Sequence, residues 1–471
     1  MNARNEGSFR DPFATVFEVN NRVFRGIKKE KILLHQKFLL SKFYKANAGS
    51  KIISTNECSA EELLEAGLAQ AIVDSYDLWV EHERLDFISY PYEWGFEFLK
   101  SAGIFHLDLQ LEALKHNYQL QDSSAYNIQF VGSKPIFIDT PSFIEYKDGD
   151  HWLGYKQFCE HFLAPLALNY YSNVEFNTLL RGSIDGISIM DASRILPFRS
   201  FLNLTIACNI HLHAWAISKI SSKSRFTNKS KPASHVPKQN LIALLESLKR
   251  CLVKMTPGTS SYWGEYDSSS NSYSKKMTHD KKLIVENFVN SHSLRSILDV
   301  GCNSGFFSEV ALQSGANRVI GLDKDGNAIN EAIRRSYSLN NKFTPILYDF
   351  VNPSPSLGWN LNERLSLDDR LPAMDGVICL ALIHHLVIGK NIPIEAFVQW
   401  ITCYAPIGLI EFVPKEDPMV TELLAYREDI FPQYTLKYFI DFLASKVDIT
   451  KISAIENSHR TLVSFQKKNS R

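Results

Sequence analysis

A buried strand that runs into a glycine-containing turn constrains the fold of this chain more than any other segment does. Residues 298–308 read LDVGCNSGFFS. Gly301 and Gly305 can adopt backbone conformations that are closed to most residues, and they let a ligand approach the main chain closely. The same turn places the free N–H groups of the following helix beside that ligand. The segment therefore predicts a strand–turn–helix unit with a ligand at the turn.

From residue 296 to the C-terminus, strand-like and helix-like segments alternate. The strand-like runs are short and apolar, and the segments between them have helical spacing. The predicted strands are 296–300, 319–323, 344–350, 376–382 and 408–413, the predicted helices are 304–314, 325–338 and a segment after Pro393, and the predicted closing antiparallel pair is 447–455 with 460–465. This alternation predicts an α/β domain with a Rossmann-like seven-stranded sheet and helices on both faces.

An acidic residue ends the second predicted strand of this domain. Asp323 lies 24 residues after Asp299, the acidic residue of the first strand. At this position a carboxylate can accept hydrogen bonds from both ribose hydroxyls of a nucleoside. A glycine turn alone indicates no more than a tight connection. The turn, the helix, the second strand and its terminal acid together predict a nucleoside-type cofactor.

The spacing of the turn residues distinguishes between cofactors. A dinucleotide site would read Gly-x-Gly-x-x-Gly, whereas residues 301–305 read Gly-x-Asn-x-Gly. Residues 299–305 resemble motif I of the class I methyltransferases that depend on S-adenosylmethionine (SAM), with Asn303 in place of the usual middle glycine. The resemblance covers about 296–467 and implies that SAM is the cofactor. It also implies a role for each matching residue: Gly301 and Gly305 line the methionine moiety, Asp299 orients the ammonium group, Asp323 binds the ribose, Asp349 binds the adenine amine, and Phe350 flanks the adenine ring.

Two adjacent histidines follow the fourth predicted strand. Ligands of open α/β sheets gather at the carboxyl ends of the strands, so the methyl acceptor is expected near His384 and His385. An imidazole can take a proton from the acceptor as the methyl group arrives. SAM is electrophilic, so positioning of the acceptor alone can also suffice. The alternative is that one histidine packs in the core while the other only shapes the cofactor pocket.

Segments in both halves of the chain resemble a bacterial branch of these enzymes, the nodulation-protein-like methyltransferases. The matching segments are HHLVIG, EFVPKEDPMV and REDIFPQY in the C-terminal part, and SYPYEWGFEFLK and SSAYNIQFVGSKPIFIDTPSF in the N-terminal part. The resemblance therefore extends over most of the chain, and it leaves the acceptor unidentified.

Composition marks one linker and places few limits on function. The Ser-, Lys- and Pro-rich segment 221–239 predicts a linker. The predicted organisation is an α+β N-terminal domain at 1–220, the linker at 221–239, a helical and aromatic lead-in at 240–295, and the SAM-dependent methyltransferase domain at 296–471.

Charge and cysteine content make some classes of function less expected. Lys and Arg number 51, as do Asp and Glu, so no overall charge favours nucleic acid. The seven cysteines are scattered without Cys/His ligand spacing, which predicts free thiols, a cytoplasmic setting and no metal site. Neither a signal peptide nor a membrane span is expected. The oligomeric state is not predicted.

The N-terminal region contains a second group of polar residues. Asp122, Asn127 and Asp139 have the spacing of the catalytic loop and the metal-binding aspartate of kinase-like phosphotransferases. Leu120 stands where such a loop has a histidine, and no glycine-rich loop or strand lysine can be identified upstream. Three alternatives remain open: an active phosphotransfer site, a degenerate kinase-like lobe that recognises the acceptor or a partner, and an unrelated α+β domain.

The sequence thus predicts an enzyme that transfers a methyl group from SAM to a polar acceptor, a small molecule or glycan. One alternative is a bifunctional protein that also has a phosphotransfer site in its N-terminal part. Another is a non-catalytic scaffold that binds SAM.

Overall fold

The computed structural model describes residues 5–223, 235–258, 272–425, 427–456 and 458–468. The chain packs as two compact units. The first unit comprises 1–131, 135–259 and 355–370, and the second comprises 132–134, 260–354 and 371–471. Residues 224–234 of the predicted linker and residues 259–271 of the predicted lead-in lie outside the described residues. No helix in the described ranges is long and apolar enough to cross a membrane.

An antiparallel four-stranded sheet forms the N-terminal part of the first unit. Its order is β1–β2–β4–β3. Two small two-stranded sheets follow in the chain, β5 with β8 and β6 with β7. The strands are β1 Ala14–Val19, β2 Arg22–Ile27, β3 Thr55–Glu57, β4 Leu78–His82, β5 Tyr118–Leu120, β6 Ile128–Val131, β7 Lys134–Phe137 and β8 Phe143–Glu145.

Helices make up the rest of the first unit. The long helix α5 buries one face in its core, and α7 is apolar on most sides. The helices are α1 Lys29–Leu40, α2 Lys42–Asn47, α3 Ala60–Glu65, α4 Gln70–Val73, α5 Phe96–Lys115, α6 Tyr155–Phe158, α7 Ala164–Ser172, α8 Phe176–Gly182, α9 Ile189–Ile195, α10 Leu204–Ile206, α11 His213–Lys223, α12 Lys238–Lys254 and, later in the chain, α16 Leu367–Arg370.

The predicted lead-in 240–295 is divided between the two units. Its first part is helix α12, which packs within the first unit. Leu241, Leu245, Leu248 and Leu252 recur at helical spacing, and all four are buried. Leu252 lies against α5, where Gly103 has no side chain to keep it away. The apolar stripe is therefore covered within the first unit.

The second unit is built on a seven-stranded sheet with the order β11–β10–β9–β12–β13–β15–β14. The first five of these strands are parallel, and β15 pairs antiparallel with both β13 and β14. The strands are β9 Ser296–Val300, β10 Arg318–Asp323, β11 Phe343–Leu347, β12 Gly376–Cys379, β13 Ile407–Phe412, β14 Val447–Ala454 and β15 Thr461–Lys467. The predicted sheet and its closing antiparallel pair are confirmed.

Helices connect the parallel strands, as crossover connections require, and one further helix precedes β9. They are α13 Ser272–Ser291, α14 Phe306–Gln313, α15 Gly326–Ser336, α17 Ile383–Lys390, α18 Ile394–Cys403, α19 Pro418–Leu424 and α20 Leu436–Lys446. Apolar residues of β9, β10 and β12 pack with Val285, Phe288 and Val310 from α13 and α14 to form a buried cluster. This core holds the carboxyl ends of the central strands in place.

Two predicted strands end earlier than expected. The strand predicted at 344–350 ends at Leu347, and the strand predicted at 376–382 ends at Cys379. Ala381 has a φ of +49°, which an extended strand cannot contain. Both segments are apolar enough to be predicted as strands. Their last residues instead begin the loops that follow β11 and β12.

Candidate cofactor site and acceptor side

The turn after β9 closes against the neighbouring strand β10. The backbone N–H groups of Gly301 and Cys302 both donate to the carbonyl of Leu322, at 2.8 and 3.0 Å. Gly301, Asn303 and Gly305 have φ angles of +83°, +49° and +78°. Three left-handed residues within five positions fold the chain tightly, so the predicted strand–turn–helix unit is present.

Asp323 connects this turn to the end of β10. Its Oδ2 accepts a hydrogen bond from the N–H of Asn303 at 2.8 Å, and its Oδ1 accepts one from the N–H of Asp325 at 2.9 Å. Burial raises the pKa of the Asp323 carboxyl. A carboxylate has about four lone-pair sites for hydrogen bonds, so the Asp323 carboxylate retains the capacity to accept from a ribose hydroxyl.

The two glycines of the turn have different surroundings. A Cβ on Gly305 would lie 2.5 Å from the ring of Phe343 on β11, so this glycine permits close packing of the turn on the sheet. A Cβ on Gly301 would meet only Leu382, at 3.4 Å. At position 301 the left-handed φ angle favours glycine. At position 305 both the left-handed φ angle and the close contact with Phe343 favour glycine.

Helix α14 begins directly after the turn. Gly305 is its N-cap residue, and no side chain caps this end of the helix. The N–H groups of a first helical turn have no partners within the helix, and the helix dipole favours negative charge there. The carboxylate of an amino-acid moiety matches this end of the helix.

Asp299 is buried on β9 behind the turn. It is 2% exposed, and its Oδ2 accepts a hydrogen bond from Ser308 of α14 at 2.5 Å. Burial raises its pKa to about 7, although the hydrogen bond from Ser308 opposes this shift. Asp299 thus joins the strand to the helix and fixes the shape of the turn between them.

Asp349 and Phe350 lie beyond the end of β11. Asp349 pairs with Lys324 at 3.0 Å and accepts a hydrogen bond from the N–H of Val351 at 3.0 Å. Lys324 and this N–H lower the pKa of the Asp349 carboxyl in spite of its burial. The Phe350 ring meets Trp400 edge-on, with 5.8 Å between centroids. Both residues are at the same edge of the sheet as Asp323, because Asp323 pairs with Leu347.

His384 and His385 lie in the first turn of α17, after the loop that contains Ala381. Their ring centroids are 4.1 Å apart. His384 is 1% exposed, and its Nδ1 has no partner among the described residues. Burial lowers the pKa of both imidazoles, with a further contribution from the positive charge of Arg460. Both rings are therefore neutral near pH 7.

A buried network of charged residues lies near this histidine pair. Lys281 of α13 contacts Glu411 at the end of β13, at 2.6 Å, and Arg460 contacts the same carboxylate at 3.4 Å. Arg460 also forms a two-pronged pair with Asp417, at 2.6 and 3.0 Å. All four residues are at most 8% exposed. The sequence did not indicate Lys281, because a lysine within a polar helix is normally predicted to be exposed to solvent.

The second predicted group of residues lies within the first unit. Asp122, Asn127 and Asp139 line one cavity of about 870 Å³. Asp139 forms an ion pair with Arg25 of β2, with 2.6 Å between Nη1 and Oδ1. The sequence-based group is therefore assembled in space, and Arg25 is a member that the sequence did not indicate.

The fold gives the class of the protein, and the comparisons with known proteins give its family. A mostly parallel seven-stranded sheet, with a left-handed turn at the end of its central strand, defines a Rossmann-like α/β protein. No family model matches the chain. The nodulation protein NoeA of Rhizobium meliloti (strain 1021) is 37% identical over 464 residues, which cover 98% of this chain and 95% of NoeA. The chain belongs to the NoeA family of nodulation proteins.

Two solved methyltransferases resemble part of the chain. The N-methyltransferase NodS from Bradyrhizobium japonicum WM9, in complex with S-adenosyl-L-homocysteine (SAH), has a TM-score of 0.32 and 12% identity over 43% of this chain and 92% of NodS. The magnesium protoporphyrin IX methyltransferase ChlM from Synechocystis PCC 6803, with bound SAM, has a TM-score of 0.31 and 18% identity over 44% of this chain and 89% of ChlM. Neither likeness, at these TM-scores, carries an assignment.

Proposed function

We propose that the second unit binds SAM and transfers its methyl group to a polar acceptor, a small molecule or a glycan. The observation that carries this proposal is the position of Asp323. Its carboxylate is bonded to the backbone of the turn through Asn303 and still has acceptor capacity for a ribose diol. The turn and the sugar-binding group are thus fixed relative to each other before a ligand binds.

The other residues of the sheet edge complete a binding site for SAM. Gly301 lets the methionine moiety approach the backbone, and the start of α14 receives its carboxylate. Asp299 orients the ammonium group by holding the turn, and Gly305 lets that turn pack on the sheet. Asp349 accepts from the adenine amine, and Phe350 covers one face of the adenine ring.

The chemistry that SAM supplies is a methyl group on a positively charged sulfur. The acceptor atom forms a bond to the methyl carbon, the carbon–sulfur bond breaks with its electron pair remaining on sulfur, and SAH is released. His385, less buried than its neighbour, takes the proton that the acceptor loses. His384 is too deeply buried to touch an acceptor and acts by positioning His385.

Methyl transfer is tested with SAM that carries a labelled methyl group. The full chain is incubated with labelled SAM and an extract of cells that lack the gene, and label is measured in the small-molecule, glycan and macromolecular fractions. We expect label in one fraction, loss of that label with Asp323→Ala, and retention with Asp122→Asn. Label in no fraction, together with tight binding of SAM, would identify the protein as a non-catalytic SAM-binding scaffold.

A further inference from the structure

The first unit contains a cavity that the methyl-transfer proposal does not use. Its volume of about 870 Å³ lies within the range of small-molecule sites, which is roughly 300–1,000 Å³. Every residue that lines it belongs to the first unit. We propose that this cavity binds a nucleoside triphosphate together with a divalent cation.

Oxygen donors for a cation lie along one wall. The N–H of Ser124 donates to Asp122 Oδ1 at 2.8 Å, and the N–H of Ile138 donates to the carbonyl of Asn127 at 2.9 Å. These bonds hold the loop at 121–127 against the end of β7, next to Asp139. Asp122 and Asp139 line the same cavity. A divalent cation would relieve the repulsion between the two carboxylates.

Arg25 supplies a positive charge at the same place. It is 9% exposed, and while Nη1 contacts Asp139, its Nε has no partner among the described residues. A guanidinium group presents several donors in one plane and binds phosphate oxygens with two of them at once. Arg25 and the cation would thus bind a phosphate chain from two sides.

Two buried histidines give a second, independent indication of a ligand. His35 of α1 and His82 of β4 line the cavity and are 4% and 6% exposed. Neither ring nitrogen of His35, nor Nε2 of His82, has a partner in the described part of the chain. Buried polar atoms in folded proteins are nearly always hydrogen-bonded. These nitrogens therefore face a polar group that comes from outside the chain.

The protonation state of the histidines indicates what that group is. Burial, and then the charge of Arg25, lower the pKa of His35 to about 3, and the pKa of His82 is also lowered. Neutral imidazoles pair with uncharged donors and acceptors such as hydroxyls and ring nitrogens. Buried Ile53 and Phe143 line the same cavity and suit a flat ring. The cavity therefore has neutral polar and apolar side chains in one part and charged side chains in another. A nucleoside would bind to the first part and its phosphate chain to the second.

The charges of the lining require that the cation and the phosphates bind together. Nine carboxylates and six Arg or Lys side chains line the cavity, which disfavours a bare anion. Within the described ranges, no three His, Cys, Asp or Glu side chains form a cluster that could hold a metal ion by itself. Magnesium is commonly bound by one or two carboxylates plus the phosphates of a ligand. The site therefore needs both components.

Calorimetry on the full chain tests the proposal with three titrations. The probes are adenylyl imidodiphosphate with Mg²⁺, the same nucleotide with EDTA, and Mg²⁺ alone, and the guanine analogue is tested in parallel. We expect one of the two nucleotides to bind in the presence of Mg²⁺, with affinity at least 10-fold weaker in EDTA, and no measurable binding of Mg²⁺ alone. Excess SAH should not displace the nucleotide, because SAH binding is assigned to the second unit.

Variants connect the binding to the proposed residues. Asp139→Asn and Arg25→Met should each weaken nucleotide binding at least 10-fold, whereas Asp108→Asn, an exposed carboxylate on α5, should leave it unchanged. SAH binding, measured on the same samples, shows that each variant is folded in its second unit and separates this proposal from methyl transfer. Intrinsic tryptophan fluorescence reports mainly on the fold of the first unit, which contains five of the seven tryptophans. Asp122→Asn replaces any variant that does not fold. Absence of binding by both nucleotides with Mg²⁺, or unchanged binding in the folded cavity variants, would overturn the proposal.

Discussion

At the scale of single residues, the proposed chemistry depends on a carboxylate that backbone N–H groups hold in place and on two imidazoles that burial keeps neutral. Asp323 accepts hydrogen bonds from two backbone N–H groups and so holds its geometry without a ligand. His384 and His385 are neutral because burial disfavours the imidazolium form. A neutral imidazole is the form that can accept a proton.

Substitution of the histidines separates their roles. His385→Gln should lower the rate of methyl transfer about 100-fold or more, because the proton acceptor is lost. It should leave the affinity for SAH unchanged. His384→Gln should have a smaller effect, because this residue only positions its neighbour. Single-turnover rates with the labelled acceptor fraction measure both effects, and a larger loss with His384→Gln would contradict the assignment.

The pH dependence of transfer gives a second test of the same pair. The pKa of His385 is lowered from 6.5, so the neutral form persists below that pH. The rate of transfer should therefore fall only at pH values below 6.5, as the ring becomes protonated. A rate that already falls above pH 6.5, and that no longer does so in His385→Gln, would show that the imidazole is not desolvated in this way.

Residue-level prediction from the sequence located local backbone geometry, but it did not find pairs of residues that are distant in the chain. The turn residues Gly301 and Gly305 were found because an unusual backbone conformation restricts which residue is tolerated. Lys281 and Arg460 were missed because their partner Glu411 lies more than forty residues from either of them in the chain. No local pattern marks such a pair.

At the scale of elements, the strand–turn–helix unit of β9 and α14 contains three left-handed residues within five positions. Alternation of apolar and helical segments predicted every strand of its sheet, because each parallel strand is buried on both faces. The ends of β11 and β12 were not predicted. Ala381 adopts a left-handed conformation, and an apolar sequence does not indicate such a conformation.

The two glycines of the turn should differ in their contribution to stability. Gly305→Ala should lower the free energy of unfolding by about 2–4 kcal/mol, since it adds a clash with Phe343 to the cost of a left-handed φ. Gly301→Ala should lower it by about 1–2 kcal/mol, since only the φ is unfavourable. Urea unfolding followed by circular dichroism measures both values.

A matched control for these substitutions is Gly326→Ala at the start of α15. An added Cβ meets no atom within 4 Å at this position, and the φ of Gly326 is not left-handed. The free energy of unfolding of Gly326→Ala should therefore equal that of the unmodified chain or be slightly larger. Equal losses for Gly301→Ala and Gly305→Ala would contradict the packing of Gly305 against the sheet.

At the scale of the whole molecule, two units carry two separate sets of polar residues. The parallel sheet was predictable because it repeats one pattern, whereas the cavity of the first unit joins residues from strands, helices and loops. Only Asp122, Asn127 and Asp139 could be picked out there, on spacing alone. The contributions of Arg25, His35 and His82 depend on how those elements pack.

The first unit should also be sensitive to acid. Burial lowers the pKa of His35 and His106 to about 3 and that of His161 to about 4. The unfolded chain binds these protons near pH 6.5, before the folded chain does, so stability is complete above that pH and is lost as the pH falls toward 4. Between these pH values, each of the three imidazoles should lower the free energy of unfolding by about 1.4 kcal/mol for each pH unit.

Fluorescence of the buried Trp79 and Trp94 during urea unfolding at pH 7, 6 and 5 measures this loss. In His106→Gln, the slope of the unfolding free energy against pH should decrease by one proton, whatever the variant does to stability at pH 7. An unchanged slope would mean that His106 does not remain neutral in the folded chain.

Binding of SAH to the full chain is the most direct test of the central claim, that Asp323 and the turn at 301–305 hold a nucleoside cofactor. Calorimetry should show one SAH per chain. Asp323→Ala should weaken this binding about 100-fold or more, because a charged acceptor of two ribose hydroxyls is lost. Asp441→Ala, at an exposed position on α20, should bind as the unmodified chain does. No binding by the unmodified chain, or equal binding by Asp323→Ala, would contradict the claim.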